Sequence, residues 1–410
     1  MLLIGCIADD FTGGSDIASF FAKGGLSTVL YNGIPEENID PAKSDVCVIA
    51  LKTRTQATAD AVEDSLKAVK WLKEQGAQQF YVKYCSTFDS TPEGNIGPIC
   101  DAVMEFLETP YTILCPALPV NGRTVKNGCL YVYGVPLHES SMKDHPLTPM
   151  WDYDLTRLMD PQSKFPSFKA AGSENDIVNF TESSKSEAGD MPFYIVPDFE
   201  KQEDAEELVK LFGGLKLLTG GSGLAEALAK KHKRDNKNRV FEKLNTSALL
   251  LAGSCSETTR NQIKVYEEAG GASYFIDPLK LLSGEESVDN IWRHITEYEE
   301  TMLLYSSDTP ENVKRNKQNG KTDIAGMLEE AIAELAARAL EAGYHRIIVA
   351  GGETSGAVTK QLGYTEYYIG ESIEPGVPIM IPTKDHRTRI VLKSGNFGKP
   401  DFFLRALSST

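Results

Sequence analysis

The sequence predicts an α/β protein of two domains, each with a mainly parallel sheet flanked by helices. Three observations lead to this prediction. The chain has 410 residues, more than a single hydrophobic core usually serves. Short apolar runs alternate with amphipathic helical patterns, as they do in βαβ units. This alternation occurs twice, and a polar segment at 228–246 separates the two series.

The first series contains six short apolar runs that predict buried strands. Helical spacing lies between the runs: Val62, Leu66, Val69 and Leu72 recur at intervals of three or four residues. The pattern therefore predicts strand–helix–strand crossovers. The predicted strands are LLIGCIA near the amino terminus, DVCVIAL at 45–51, QFYVK at 79–83, YTILC at 111–115, FYIVP at 193–197 and LKLLT at 215–219.

The polar segment that divides the chain is basic where it begins, which favours a helix end followed by a linker. We therefore place the domain boundary near 234–245, with a first domain at 1–236 and a second domain at 246–410. Residues 138–190 are rich in Ser, Asp, Lys and Pro and show little periodicity. They predict an insertion or arm in the first domain that covers a cleft or makes an oligomer contact.

The second series repeats the alternation. Between its strands, Ile324, Leu328, Leu335 and Ala339 share one face of a long predicted helix. The second domain should therefore also contain a mainly parallel sheet. Its predicted strands are SALLLAG at 247–253, SYFID at 273–277, MLLYSS at 302–307, RIIVAGG at 346–352 and RIVLKSG at 389–395.

Composition and charge exclude several functional classes. The formal net charge is -16, which disfavours nucleic acid and anionic membranes as partners. No apolar run reaches the roughly 18 residues needed to span a bilayer, and the amino terminus does not resemble a signal peptide. We therefore expect a cytoplasmic protein that acts on a small molecule. A homo-oligomer is compatible with this expectation.

Several common cofactor motifs are absent from the sequence. The seven cysteines are scattered singly, without zinc-ligand spacing. There is no P-loop pattern GxxxxGK followed by Ser or Thr, and no GxGxxG follows a predicted strand. A standard P-loop or Rossmann nucleotide site is therefore not expected, and a nicotinamide-dependent dehydrogenase lacks its fingerprint.

Charged side chains gather at the carboxyl ends of the first domain's predicted strands, where open parallel sheets bind ligands. The carboxylates there could act as a base or hold a metal ion, and the cations could clamp an anionic substrate. The alternative for each aspartate is a helix cap or a turn. Several charged strand ends in one domain favour a polar site. The charged residues are Asp9, Asp10, Arg54, Lys83, Asp89 and Arg123.

Glycine-rich loops follow strands in both domains. In the first, GGSG at 220–223 precedes a helix and suits a carboxylate or a phosphate. In the second domain, small-residue loops occur at 253–260, 351–356 and 394–398. Such loops let backbone amides approach a nucleotide closely, although a single loop is better explained as a tight βα turn. Three loops in one domain favour nucleotide binding.

Taken together, these strand-end segments resemble the four-carbon acid sugar kinases. The resemblance covers nearly the whole chain in order and is weakest across 150–190 and 230–245. It implies a two-domain enzyme with its active site in the interdomain cleft. The amino-terminal domain would hold a four-carbon sugar acid and the other would hold ATP. The motifs are ADDFTGGSD, KYCSTFDSTPEGNIGP, CPALPVNGRTVKNG, HPLTPM, TGGSGLAEAL, LLLAGSCSETTRNQ, AGGETSGAV, EPGVPIM and LKSGNFG.

The resemblance also implies site residues, position by position. On the sugar-acid side they are Asp9 or Asp10, Arg54, Lys83, Tyr84, Cys85 and Ser86, with Asp89 nearby. On the ATP side they are Ser254 or Ser256, Gly351, Gly352, Glu353, Thr354, and Gly395 or Gly398. The implied reaction moves the γ-phosphoryl group of ATP to the terminal hydroxyl of the acid. We expect 3-oxo-tetronate as the acceptor, with threonate or erythronate as alternatives.

Phosphoryl transfer requires in-line positioning and neutralisation of charge, which assigns provisional roles to these residues. Arg54 and Lys83 would hold the substrate carboxylate. Either Asp9 or Asp10 would accept the proton of the attacking hydroxyl. The other aspartate, or Asp89, would orient a hydroxyl or a Mg²⁺-bound water.

Two questions remain open at the level of sequence. Mg²⁺ is expected with ATP, but its protein ligands are not identified; Glu353 is a candidate or a partner of the helix dipole. A two-domain sugar-acid binding protein without catalysis would explain the charged strand ends, but not the three glycine loops.

Overall fold

The computed structural model describes residues 2–36, 44–144, 148–172, 174–232, 241–253, 256–298, 301–306, 324–395 and 397–410. By their internal contacts the residues separate into two units, Met1–Arg239 and Val240–Thr410. We call these the first unit and the second unit.

The apolar runs of the first unit form strands that are buried on both faces. Such runs carry no polar alternation because helices cover both sides of a parallel sheet. The buried runs form β1 (Ile4–Ala8), β2 (Thr28–Asn32), β3 (Val46–Ala50), β4 (Gln79–Lys83), β5 (Tyr111–Cys115), β10 (Phe193–Pro197) and β11 (Leu217–Gly220). The first unit also contains four short, partly exposed strands: β6 (Arg123–Lys126), β7 (Cys129–Val132), β8 (Val135–Pro136) and β9 (Ser167–Ala170).

Eight of these strands form one sheet in the order β2-β3-β1-β4-β11-β5-β10-β9. All of its strand pairs are parallel. Strands β6, β7 and β8 form a small antiparallel sheet. The order places β1 between β3 and β4, so the carboxyl ends of these three strands are neighbours.

The helices of the first unit connect its parallel strands. The buried faces of α2 and α3 include residues that the sequence spacing predicts, such as Val69 and Leu72. The helices are α1 (Phe11–Lys23), α2 (Thr58–Glu74), α3 (Ile96–Leu107), α4 (Leu155–Met159), α5 (Glu174–Ala188), α6 (Asp204–Phe212) and α7 (Ala225–His232).

The segment 138–190, predicted as an insertion or arm, contributes in part to the main sheet. It contains α4 and α5, and β9 pairs in parallel with β10 at the sheet edge. The sequence did not indicate this strand because Ser167–Ala170 is short and mostly half-buried, as expected at an edge. Residues 145–147 and 173 of this segment, which include His145, lie outside the described residues.

The second unit has a sheet with the order β13-β14-β12-β15-β18-β17-β16. The first five strands in this order pair in parallel, whereas β17 is antiparallel to both β18 and β16. The strands are β12 (Ala248–Ala252), β13 (Ala272–Phe275), β14 (Met302–Tyr305), β15 (Arg346–Ala350), β16 (Glu366–Glu374), β17 (Val377–Pro382) and β18 (Arg389–Lys393). The described helices are α8 (Glu257–Glu268), α9 (Pro278–Ser283), α10 (Val288–Tyr298), α11 (Ile324–Glu341), α12 (Gly352–Leu362) and α13 (Phe402–Ser409).

The predicted fold class is confirmed: both units have mainly parallel sheets flanked by helices. The β16–β17 hairpin was not predicted. Its turn contains Gly376 at a φ of 81°, and the pairing is irregular between Ile369 and Glu374. These irregularities break the alternating pattern by which sequence indicates a hairpin. No helix in the described parts of the chain is both long and apolar enough to cross a membrane.

The end of α1 packs so closely against α7 that the contact requires a glycine. A Cβ atom on Gly24 would lie 2.4 Å from the Cβ of Ala229 and 2.6 Å from the carbonyl oxygen of Glu226. We therefore expect Gly24→Ala to lower the free energy of unfolding by about 1–3 kcal/mol through overpacking. Urea denaturation followed by circular dichroism measures this change.

Gly214→Ala is the matched control, because a Cβ atom at that position meets nothing within 4 Å. Its unfolding curve should coincide with that of the unsubstituted protein. Equal stabilities for Gly24→Ala and Gly214→Ala would contradict the packing described for α1 and α7.

Candidate active site

The charged strand ends of the first unit meet because β3, β1 and β4 are parallel neighbours. Ala8, the last residue of β1, pairs with Ala50 of β3 and with Lys83 of β4. The backbone N–H of Asp9 donates to the carbonyl of Lys83 at 3.1 Å, and the carbonyl of Asp9 accepts from the N–H of Thr53 at 3.1 Å. The loop after β1 is thereby fixed between the two neighbouring strands.

Arg54 is the centre of the charged cluster. Its Nε donates to Oδ2 of Asp9 at 2.8 Å, and its Nη2 donates to Oδ1 of Asp9 at 3.0 Å. Its Nη1 lies 2.7 Å from Oδ2 of Asp10 and 3.9 Å from Oδ2 of Asp89. A two-pronged guanidinium–carboxylate pair has a defined geometry, so Arg54 fixes the orientation of Asp9.

Asp9 and Asp10 differ in surroundings although they are adjacent. The side chain of Asp9 is 11% exposed, and that of Asp10 is 33% exposed. Asp10 also accepts a hydrogen bond from the N–H of Gly13 and caps the amino terminus of α1. The sequence left open whether Asp10 is a cap or a site residue, and the geometry gives it a place in both.

Burial raises the pKa of Asp9, and the neighbouring Asp10 charge acts in the same direction, while Arg54 opposes the rise. Burial alone would lower the pKa of Arg54, but Asp9 and Asp10 raise it well above its ordinary value. The cluster therefore keeps a permanent cation next to two carboxylates in a poorly hydrated site.

Lys83, at the end of β4, is 3% exposed and is held by a second buried group. Its Nζ donates to the carbonyl of Tyr84 at 3.1 Å and lies 3.8 Å from Oδ2 of Asp16. Asp16 in turn accepts a 2.5 Å hydrogen bond from the hydroxyl of Ser222. Burial lowers the pKa of Lys83, but Asp16 and Asp9 outweigh it and leave the pKa raised. Lys83 is therefore a paired ammonium.

The side chains of the loop that follows β4 differ in their contacts. Asp89 accepts a 2.6 Å hydrogen bond from Thr87 and faces Arg54. Cys85 contacts Thr87 at 2.9 Å, and burial raises the pKa of its thiol to about 12. Ser86 is half-buried beside it. Because of its raised pKa, the Cys85 thiol is not a nucleophile at neutral pH.

Two residues predicted on the substrate side have their side chains in other contacts. The Tyr84 hydroxyl lies 3.2 Å from Oγ1 of Thr219, and the ring packs edge-on against Phe88. Arg123 donates to the carbonyl of Asn121 and lies over the ring of Tyr133. Burial raises the pKa of Asp16, and the charge of Arg123 is the weakest of the influences that oppose this rise.

The sequence did not indicate three residues that hold the cluster in place: Asn95, Asp16 and Ser222. The side-chain amide of Asn95 donates to the carbonyls of Thr53 and Gln56 at 2.7 and 2.8 Å, which fixes the loop that carries Arg54. Asp16 and Ser222 hold Lys83. Two of them could have been found from their positions in the sequence. Asn95 immediately precedes α3, and Asp16 lies within the ADDFTGGSD motif.

A partly open pocket of about 380 Å³ adjoins the cluster. Its polar wall includes Asp9, Arg54 and Lys83, and its apolar wall includes Ile96 and Ile99. The pocket suits a small polar ligand.

In the second unit, the predicted nucleotide loops converge on the carbonyl of Gly395. Ser256 caps α8 and donates its hydroxyl to this carbonyl at 2.6 Å. Thr259 donates to the same oxygen at 2.9 Å, and the Nζ of Lys393 lies 3.1 Å from it. The loop after β18 is thus tied to the first turn of α8.

The loop after β15 lies against the loop after β12. A Cβ atom on Gly253 would lie 2.1 Å from Oγ1 of Thr354, so glycine is required there. Gly351 has a φ of 133° and donates its N–H to the carbonyl of Lys393. Gly352 and Glu353 are exposed in the first turn of α12, and a Cβ on Gly352 meets nothing within 4 Å.

Gly398 has a φ of 87°, which requires a glycine whatever its role in binding. Ser254, the alternative to Ser256, lies outside the described residues. Across the described ranges, no three carboxylate, cysteine or histidine side chains are arranged to hold a metal ion. Asp9, Asp10 and Asp89 converge on the guanidinium of Arg54 instead.

Comparisons with known proteins assign both units to one family. Residues 4–228 match the family model for a sugar-binding N-terminal domain, and residues 249–403 match that for a nucleotide-binding C-terminal domain. The resemblance seen in the sequence motifs is thus confirmed.

Relatives that match over nearly their full length include two enzymes named 3-oxo-tetronate kinase. That of Pseudomonas fluorescens is 40% identical over 99% of this chain and 96% of the relative. That of Haemophilus influenzae is 40% identical over 98% of each chain.

Solved structures of the same fold include that of a protein from Salmonella typhimurium LT2. It is 39% identical and covers 100% of both chains with a TM-score of 0.90. The Haemophilus influenzae protein HI1011 is 39% identical, covers 98% of this chain and 99% of that one, and has a TM-score of 0.80. The chain therefore belongs to the four-carbon acid sugar kinase family and is a kinase, an enzyme that transfers a phosphoryl group to a hydroxyl.

Proposed function

We propose that this kinase transfers the γ-phosphoryl group of ATP to the terminal (4-)hydroxyl of a four-carbon sugar acid. 3-Oxo-tetronate is the first candidate acceptor because relatives with that name are about 40% identical along the whole chain. Threonate and erythronate are the alternatives. We further propose that 1–236 is the sugar-acid domain and 246–410 the nucleotide domain.

The observation that carries the proposal is the pairing of a shared cation with two unequal carboxylates. A guanidinium has five N–H donors, of which three serve Asp9 and Asp10, so Arg54 keeps two for a substrate oxygen. Lys83 adds a second positive charge behind the cluster. Both cations favour a small anion at this strand-end edge, against the overall negative charge of the chain.

We assign the role of general base to Asp10. It is the more exposed aspartate: its Oδ1 accepts from the N–H of Gly13 and its Oδ2 lies against Arg54, whereas both oxygens of the more buried Asp9 are held by Arg54. In the proposed step, the substrate hydroxyl oxygen bonds to the γ-phosphorus, and its proton moves to the Asp10 carboxylate. The bond between that phosphorus and the bridging oxygen breaks, and ADP leaves with the electron pair.

The described carboxylates do not fit a dedicated Mg²⁺ site, because those of the first unit converge on an arginine. Mg²⁺ usually binds through substrate phosphates and one or two carboxylates, so it would arrive with the nucleotide. Glu353, exposed at the start of α12, is the one carboxylate that we propose for it.

The proposed substrate class is tested by coupling ADP release to NADH oxidation with a panel of four-carbon acids. We expect rapid ADP release with 3-oxo-tetronate and at least tenfold lower kcat/KM with threonate and erythronate. The analogues would leave polar groups of the site unpaired, which costs about 1.4 kcal/mol or more. ADP release that no acid in the panel stimulates would refute the proposed acceptor.

The assignment of the base is tested with Asp10→Asn and Asp9→Asn. An asparagine at position 10 still caps α1, so Asp10→Asn should fold normally. Its kcat should fall about 100- to 10,000-fold, because the proton acceptor is lost. Asp9→Asn removes the charge that holds Arg54, so it should raise KM and lower thermal stability.

Asp60→Asn, on the exposed surface of α2, is the matched control and should behave like the unsubstituted protein. Steady-state kinetics and thermal denaturation of the three variants distinguish loss of the proton acceptor, which lowers kcat, from loss of the contact that holds Arg54, which raises KM and lowers thermal stability. If Asp10→Asn retains its kcat while Asp9→Asn loses it, the two roles must be exchanged.

A further inference from the structure

The two units each end a central strand with a buried lysine, but the two lysines have different surroundings. Lys83 ends β4 and is 3% exposed, and Lys393 ends β18 and is 1% exposed. Lys83 has the carboxylate of Asp16 at 3.8 Å. Lys393 meets no carboxylate in the described part of the chain.

The contacts of Lys393 are all with neutral groups. Its Nζ lies 3.0 Å from Oγ1 of Thr259, 3.2 Å from the carbonyl of Ser394 and 3.1 Å from that of Gly395. The ring of Phe402, on α13, lies 5.6 Å away. These groups belong to α8, the loop after β18 and α13, and no charged side chain of the described residues acts on the amine from any of them.

Burying an ammonium group without a carboxylate is costly, because neutral dipoles replace its hydration only in part. Burial accordingly lowers the pKa of Lys393 to about 7. At pH 8 the amine of the nucleotide-free protein is therefore mostly neutral. The opposite holds for Lys83, whose carboxylate partners leave its pKa raised.

The missing negative charge is the kind that a nucleotide supplies. The Lys393 amine holds the carbonyl of Gly395, which also accepts from Ser256 and Thr259 at the start of α8. The next residue of α8, Arg260, has a buried Nε with no hydrogen-bond partner among the described residues. Within the described residues, a lysine amine without a carboxylate and a guanidinium nitrogen without a hydrogen-bond partner thus occur near one helix start.

We propose that Lys393 is a charge-responsive positioning residue: nucleotide phosphates bind to the second unit together with a proton that converts its amine to an ammonium group. The inference rests on the proposed nucleotide role of this unit. The bound phosphates stabilise the ammonium form through their charge, and the ammonium then holds the carbonyls of Ser394 and Gly395 more strongly through charged hydrogen bonds.

The sign of the pH dependence follows from linkage. The nucleotide favours the protonated amine, so binding takes up a proton at any pH between the pKa of the free protein and the higher pKa of the complex. Nucleotide affinity should therefore weaken by up to about tenfold per pH unit as the pH rises from 7 to 9. Below about pH 7 the amine is already charged in the free protein, and this contribution levels off.

Isothermal titration calorimetry of the full chain with Mg²⁺ and ADP tests the inference directly. The titration is run at pH 8, where phosphate groups with a pKa near 6 are fully ionised, in buffers of different ionisation enthalpy. The slope of observed enthalpy against buffer enthalpy gives the protons taken up. We expect up to about 0.9 proton for the unsubstituted protein, since an amine with a pKa of about 7 is only about one-tenth protonated at that pH before the nucleotide binds.

Lys393→Arg keeps a permanent charge and should bind ADP with uptake near zero, because an arginine is protonated in both states. Lys393→Met should also show no uptake and should bind more weakly. Lys360→Met, on the exposed face of α12, is the control and should retain the uptake.

Two results would overturn the inference while leaving the proposed function standing. One is ADP binding to the unsubstituted protein without proton uptake, and the other is unchanged uptake in Lys393→Arg. A chain that binds no nucleotide at all would instead overturn the proposed function, and the inference with it.

Discussion

Arg54 is the group on which the candidate site depends. A guanidinium and two carboxylates at a poorly hydrated strand edge are tolerated only as a set, because each charge alone would lose its hydration without compensation. The set exists because β1 lies between β3 and β4, which brings the chain after β1 next to the chain after β3. Asn95 then fixes the backbone near Arg54.

The pairing with Arg54 also makes the two carboxylates unequal. Arg54 occupies both oxygens of Asp9, whereas Asp10 keeps a face towards solvent. Two adjacent residues of the same type thereby gain different chemistry.

The glycines of the strand-end loops serve two distinct purposes. Several are required by the fold itself: a Cβ atom on Gly221 would lie 2.2 Å from the carbonyl oxygen of Pro116, and one on Gly253 would collide with Thr354. Close packing of two backbone segments thus requires Gly221 in the TGGSG motif. Gly352 and Gly356 differ, since a Cβ atom on either meets nothing within 4 Å. Packing does not require glycine at these two positions, which suits an approach of nucleotide phosphates to the backbone of α12.

The buried lysines of the two units have different partners. In the first, Lys83 is neutralised within the chain by Asp16, which Ser222 orients. In the second, the described contacts of Lys393 are with hydroxyl and carbonyl dipoles and with the ring of Phe402. A ligand charge changes little at the first lysine and much at the second. This difference fits a division of labour in which the first unit presents a fixed electrostatic environment to a small acid. The second unit would then adjust its own charge to a polyphosphate.

The sequence by itself determined the fold class and the edge of the sheet where the candidate site lies. Periodicity and run length are local properties, and the carboxyl ends of parallel strands must share an edge, so Asp9, Asp10, Arg54, Lys83 and Asp89 could be assigned to one place. The family followed from motifs that match in order along the chain.

Tertiary structure alone decided which side chains point into the candidate site. It turned the Tyr84 hydroxyl towards Thr219, directed Arg123 to Tyr133, and brought in Asp16 and Asn95. It also made β9 and the β16–β17 hairpin part of the sheets. These outcomes depend on side-chain direction, burial and pairing between residues far apart in sequence, and those properties are set only when the chain has packed.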